Sequence, residues 1–69
     1  MKIETMNVQE ATEWLRAHGM STSPETLRFG IQQGVFPFGI HIDRNGNPTY
    51  FVFRTQLERW AEERSGKNE

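Results

Sequence analysis

The sequence predicts a small α+β domain in the order helix, turn, helix, two-stranded hairpin, helix. Apolar side chains recur at helical spacing in three segments, and residue types that favour helix starts precede each of them. The dipeptide Asn45-Gly46, a strong indicator of a two-residue hairpin turn, separates two segments rich in aromatic and β-branched residues. Because a single domain usually needs at least 50 residues or so, the 69 residues form one domain, with its core over about residues 6–64.

The first helix is predicted from Asn7 to His18. Asn7 and Glu10 have the spacing of a capping box, and Gly19 is placed to end the helix. One face at helical spacing contains Val8, Ala11, Trp14, Leu15 and His18. We therefore expect His18 to be a core histidine, and Met1–Thr5 to be a frayed end.

The second helix starts at Ser23-Pro24-Glu25, where a capping hydroxyl precedes a proline and an acidic residue, and it stops at Gly34. Leu27 and Ile31 lie four residues apart and are expected to face the core. The outward positions are Glu25, Thr26, Phe29, Gln32 and Gln33. Only Gly19–Thr22 connects the two helices, which is typical of a helix-turn-helix.

Two strands, at 37–43 and 48–53, flank the turn, and a type I′ turn sets Arg44 opposite Asn47. The pairs that follow on one side are Ile42 with Thr49, Ile40 with Phe51 and Phe38 with Phe53; on the other side they are His41 with Tyr50 and Gly39 with Val52. The first side is the more aromatic and aliphatic, so it is predicted to face the core. The side with His41 and Tyr50 is predicted to be at least partly exposed, with these two residues packed across the strands.

The last helix is predicted to begin with a capping box formed by Thr55 and Glu58. Its packing face contains Leu57, Trp60, Ala61 and Arg64, and residues 65–69 are expected to be frayed. The complete order is that of a small winged helix-turn-helix.

Composition excludes several functional classes. The chain has no cysteine and only two histidines, so we predict no disulfide, metal site or cofactor. A chain of this length forms a thin core without a deep substrate pocket. A relay of serine, His41 and Asp43 lacks an oxyanion pocket, so we predict no catalytic residues, no enzymatic activity and no small-molecule substrate.

Charge is distributed unevenly along the chain. The formal net charge is −1, but three arginines and one aspartate give residues 26–56 a charge of +2 between acidic flanks. No apolar run has the length of a signal peptide or membrane helix, so we expect a cytoplasmic protein without a membrane partner. The predicted second helix and hairpin are therefore the electropositive part of the molecule.

Four segments resemble the excisionase-type, MerR-like winged helix-turn-helix domains of phages and integrative elements. They are Val8–Leu15, Ser23–Arg28, Gln33–Gly39 and Tyr50–Arg54 leading into Leu57–Trp60. The resemblance covers about residues 6–63. It implies that the second helix enters the major groove of double-stranded DNA while the hairpin, or wing, contacts the backbone or minor groove. It also implies a role as a recombination directionality factor that assists an integrase, or as a small transcription regulator.

Carried over by position, the resemblance makes Thr26, Arg28, Gln32 and Gln33 the helix contacts, and Arg44, Asn45 and Asn47 the wing contacts. Physical chemistry adds Ser21, Thr22 and Ser23, whose hydroxyls at a helix N-terminus suit a phosphate. Few basic residues imply weak, salt-sensitive binding that needs cooperative self-association on DNA or a DNA-bound partner.

An alternative function is a protein-interaction adaptor on the same fold. Its surface would be Phe29, which is unusual on a DNA-reading helix, with His41 and Tyr50 on the exposed side of the hairpin. The sequence leaves open the DNA target, the oligomeric state, the host partner, and the choice between excision and transcription control.

Overall fold

The computed structural model describes residues 1–65 and contains three helices and a three-stranded antiparallel sheet. The elements are β1 (Thr5–Met6), α1 (Val8–Ala17), α2 (Pro24–Gln32), β2 (Gly39–Arg44), β3 (Asn47–Phe53) and α3 (Arg54–Arg64). The strand order is β1-β3-β2. The predicted α+β class and the three helices are confirmed, whereas the sheet has one strand more than predicted.

The first two helices start at the predicted caps. The Asn7 Oδ1 atom accepts a hydrogen bond from the Glu10 amide at 2.7 Å, and the Asn7 amide donates to the Glu10 carboxylate at 3.1 Å. Ser23 caps α2 by a single bond, in which its hydroxyl oxygen accepts from the amide of Thr26. Each of these caps satisfies amides that the first helical turn leaves unpaired.

The hairpin has the predicted register, with Arg44 opposite Asn47 and His41 opposite Tyr50. Asn45 and Gly46 have φ of 51° and 80°, the positive values that a type I′ turn requires. Of the residues predicted to face the core from the hairpin, Phe38 is fully buried, but Ile40 and Ile42 are 46% and 47% exposed, so the prediction is wrong for the paired strands themselves.

The opposite side of the sheet packs on the helices. Val52 is fully buried, and Gly39 lies so close to α2 that an added Cβ would be 2.9 Å from Ile31 Cδ1 and 2.9 Å from the Phe51 carbonyl oxygen. Phe38, just before β2, is fully buried. The core consists of Val8, Ala11, Leu15, Leu27, Ile31, Phe38, Val52 and Leu57. The absence of a side chain at Gly39 therefore lets Ile31 of α2 pack closely against this face of the sheet.

One of the two predictions about the chain ends is corrected. Met1–Thr5 is not entirely a frayed end, because Thr5 pairs with Phe53 and the Arg54 amide donates to the Glu4 carbonyl at 2.9 Å. Of the predicted C-terminal end, residues 66–69 lie outside the described residues.

The start of α3 differs from the prediction. The helix begins at Arg54 with Phe53 as its N-cap, and no side-chain hydrogen bond caps it. Glu58 pairs with Arg54 at 2.9 Å, so the predicted capping box with Thr55 is wrong. Phe53 continues directly from β3 into the helix, which leaves no room for a cap two residues later.

Candidate nucleic-acid interface

The turn before α2 holds the three hydroxyl residues predicted to meet a phosphate. Arg16 Nε donates to the Thr22 carbonyl at 2.8 Å and so ties this turn to α1. Thr22 Oγ1 is buried without a hydrogen-bond partner among the described residues. Ser23 Oγ accepts from the Thr26 amide at 3.3 Å and lies 3.0 Å from Thr26 Oγ1. Ser21 is the residue of the three that is most exposed to solvent.

The outer face of α2 carries most of the predicted helix contacts. Leu27 and Ile31 are buried, while Thr26, Phe29, Gln32 and Gln33 are exposed, as predicted from their spacing. Arg28 is exposed as well. Phe29 is 61% exposed. Arg28 forms no ion pair with any residue in the described range 1–65. A cation in this position remains available to an external anion.

A row of polar and aromatic side chains connects α2 to the hairpin. The Gln32 amide nitrogen donates a hydrogen bond to the Tyr50 hydroxyl. His41 stacks on Tyr50 with ring centroids 5.9 Å apart and an interplanar angle of 27°. The structure thus brings together one predicted DNA contact and two predicted protein contacts, and it engages one amide proton of Gln32 internally.

The tip of the hairpin presents the predicted wing residues. Arg44, Asn45 and Asn47 are all exposed, and Arg44 has no acidic partner within the described part of the chain. By strand alternation, Arg44 and Asn47 lie on the side of Ile42, opposite His41 and Tyr50. The structure therefore does not place the wing residues on the same face of the sheet as the row that joins Gln32 to His41.

The arginines differ in how far other groups neutralise them. Arg54 pairs with Glu58 at 2.9 Å, and Arg64 lies 3.4 Å from Glu63 and 4.5 Å from the ring centre of Trp60. Arg54 is one of the three arginines predicted in the central segment, and the structure places the Glu58 carboxylate beside it in a half-exposed ion pair. Arg28 and Arg44 remain as the cations of the candidate interface.

An aromatic groove that the sequence did not predict lies between α1 and α3. Its volume is about 720 Å³, and its lining includes Trp14, His18, Met20 and Trp60.

His18 is exposed, stacks on Trp14 at 3.9 Å and hydrogen-bonds the Trp14 carbonyl through Nδ1, so the predicted core histidine is wrong. Thr12 is buried instead, with its hydroxyl donating to the Val8 carbonyl at 2.8 Å. A threonine can be buried in an apolar core when a backbone carbonyl of its own helix accepts a hydrogen bond from its hydroxyl group.

The sheet carries an apolar surface that the sequence did not predict either. Ile40, Ile42 and Phe51 share the side turned away from the helices, and Phe51 is 38% exposed. We call these three residues the outer sheet face. The sequence pattern could not reveal it, because alternation makes both sides of the hairpin partly apolar.

Comparison of the chain with models of known families, with curated proteins and with solved structures found no match. Among residues 1–65, no group of three or more His, Asp or Glu side chains could hold a metal ion. No helix within that same range is long and apolar enough to cross a membrane.

Proposed function

We propose that this protein is a sequence-specific DNA-binding protein of the winged helix-turn-helix type. In this proposal α2 enters the major groove and the β2–β3 hairpin is the wing. The short turn between α1 and α2 and the hairpin that follows α2 support the assignment, since this order is typical of such domains.

The observation that carries the proposal is the placement of two cations. Arg28 on α2 and Arg44 at the hairpin tip are exposed, and neither has an acidic partner among residues 1–65. They lie on the two elements that contact DNA in a winged helix-turn-helix. Phosphate contacts by such arginines supply most of the affinity of a weak DNA-binding protein.

The internal hydrogen bonds refine the contact set. The Gln32 amide already donates to Tyr50, so Gln33 is the glutamine better placed to bond an adenine edge, and Arg28 suits guanine or phosphate. Ser23 and Thr26 hold the cap of α2, which leaves Ser21 and backbone amides for a phosphate. Asn45 and Asn47 would contact the DNA backbone beside Arg44.

The biological role that we propose is that of an excisionase or recombination directionality factor, or of a small regulator, of a mobile element or prophage. The segments that resemble excisionase-type domains support it. In that role the partners are attachment-site DNA and an integrase. A recombination assay with the integrase of the same element tests it: excision should require this protein, and a rate unaffected by its omission would contradict the role.

DNA binding is tested by titrating isotope-labelled protein with a short mixed-sequence duplex at low salt. Amide signals of residues 21–33 and 44–47 should shift. Arg28→Ala and Arg44→Ala should each weaken binding, while Arg59→Ala, which removes an exposed arginine from α3, is the matched control and should bind as the wild type does. Unchanged spectra at millimolar duplex would refute the proposal.

A second candidate function is a protein-interaction adaptor, favoured by the 61% exposure of Phe29 in the middle of the outer face of α2. His41 and Tyr50, on the neighbouring side of the hairpin, would complete its surface. A Phe29→Ala variant separates the two functions. Loss of binding to the integrase with DNA binding retained would favour the adaptor, because a groove contact by Phe29 would affect DNA binding directly.

A further inference from the structure

Strand β2 forms a free edge of the sheet. In the order β1-β3-β2, it has β3 on one side only. The Phe53 amide donates to the Phe38 carbonyl at 2.9 Å, and the same alternation places the backbone bonds of Ile40 and Ile42 toward β3. The N–H and C=O groups of His41 and Asp43 therefore point outward, away from the sheet.

The opposite edge of the hairpin is protected, whereas β2 is not. Pro48 has no N–H group on the outer side of β3, and β1 covers β3 further along, at Val52 and Phe53. Proline and covering strands are two means by which proteins prevent an edge from pairing. Strand β2, from Gly39 to Arg44, contains no proline and no lysine.

The outer sheet face adds an apolar component beside this edge. Ile40 and Ile42 belong to β2 itself and are about half exposed, and Phe51 is the cross-strand neighbour of Ile40. Large apolar side chains on an unpaired edge strand are typical of an edge at which a strand of another chain pairs. The net charge of −1 produces little long-range repulsion between copies of the chain.

We propose that the partner at this edge is a second copy of the chain, with the two β2 strands antiparallel about a two-fold axis at Ile42. Residues with outward backbone groups must pair with each other, so His41 of each copy lies opposite Asp43 of the other. An imidazole N–H can donate to that carboxylate in both pairs. At the axis, Ile42 contacts Ile42 of the second copy, and the sequence of β2 is thus complementary to itself.

The dimer joins two sheets into one of six strands. It adds only a few backbone hydrogen bonds and a small apolar contact, so the buried area falls below the roughly 1,200 Å² of standard interfaces. We therefore expect a dissociation constant on the order of 0.1–1 mM for the free protein. The proposal does not depend on DNA binding, and its tests contain no DNA.

The first test measures molar mass against protein concentration by sedimentation equilibrium. The wild type should rise from 8.1 kDa toward twice that mass. His41→Pro removes the outward N–H without removing a bond to β3, so it should stay monomeric while its circular dichroism matches the wild type. The matched control is His41→Thr, which loses the same imidazole but keeps the N–H, and should dimerise several-fold better than His41→Pro.

The second test uses the absence of cysteine from the chain. Ile42→Cys should form an intermolecular disulfide readily under mild oxidation, because residues paired at the axis have Cα atoms about 4.5 Å apart. Thr49→Cys is the control. Thr49 faces Ile42 from β3, so the two copies of residue 49 lie about 14 Å apart, too far for a disulfide.

Three results would overturn the proposal. One is a wild type that remains at 8.1 kDa at 1 to 2 mM, on the order of the weakest affinity expected. Another is equal dimerisation of His41→Pro and His41→Thr, which would show that the contact between the copies does not use the edge of β2. The third is equal cross-linking of the Ile42→Cys and Thr49→Cys proteins, which would show that the two-fold axis does not lie at residue 42.

Discussion

Gly30 in α2 allows the helix to pack against the aromatic ring that follows it. A Cβ atom at this position would lie 2.4 and 2.5 Å from two ring carbons of Phe36. That ring cannot move freely, because it stacks on Phe38 at 5.1 Å and meets the edge of Trp60 at 5.7 Å. Gly30→Ala therefore tests whether this close packing contributes to the stability of the domain.

Two opposing effects set the expected magnitude. Alanine in place of glycine inside a helix usually stabilises by about 0.8–1 kcal/mol. Overpacking a filled site costs about 1–3 kcal/mol, and displacing the ring weakens aromatic pairs worth about 0.5–1.5 kcal/mol each. The clash at Gly30 exceeds the helical gain, so we expect Gly30→Ala to lower the free energy of unfolding by about 1–2 kcal/mol.

The assay is urea unfolding followed by circular dichroism, with Phe36→Ala as the second background. Without the ring, the added methyl group has space, and Gly30→Ala should then stabilise the chain by up to about 1 kcal/mol. The change of sign corresponds to a coupling energy of about 2–3 kcal/mol in a double-mutant cycle. A stabilising Gly30→Ala in the wild-type background would refute the argument, as would equal effects in both backgrounds.

Two further predictions test the corrected parts of the fold by urea unfolding. Val52→Ala removes two fully buried methyl groups and should lower the free energy of unfolding by about 2 kcal/mol. Ile42→Ala, on the exposed side of the sheet, should lower it by under about 0.5 kcal/mol. A larger loss for Ile42→Ala than for Val52→Ala would support the core side predicted from sequence. Asn7→Ala breaks a complete capping box and should lower the free energy of unfolding by about 1 kcal/mol. Thr55→Ala removes no cap and should leave the free energy of unfolding nearly unchanged. Equal losses in the two variants would contradict the assigned start of α3.

The local parts of the fold were predictable because short-range chemistry determines them. Asn7 and Ser23 satisfy amides within their own first turns, and Asn45-Gly46 adopts the only backbone conformation that a two-residue type I′ turn allows. Such features depend on residues three or four positions apart. The sequence therefore predicted the first two helix starts and the hairpin register.

The incorrect predictions depend on long-range packing. Both sides of the hairpin carry apolar side chains, and the side that packs on α2 is the one where Val52 is buried and Ile31 lies against Gly39. Strand β1 has only two residues, too few for any alternation to be visible. The pairing of Arg54 with Glu58, which leaves Arg28 and Arg44 as the central arginines without an acidic partner among residues 1–65, also required the structure.

The most direct test of DNA binding is the salt dependence of the affinity for a short duplex. Two phosphate contacts, from Arg28 and Arg44, predict a slope of log K against log salt of about −1.8, a loss of about twelvefold between 50 and 200 mM. The double variant Arg28→Ala, Arg44→Ala should bring the slope close to zero, while Arg59→Ala should leave it unchanged. Binding whose slope is the same in all three proteins, or no binding at the lowest salt, would contradict the account.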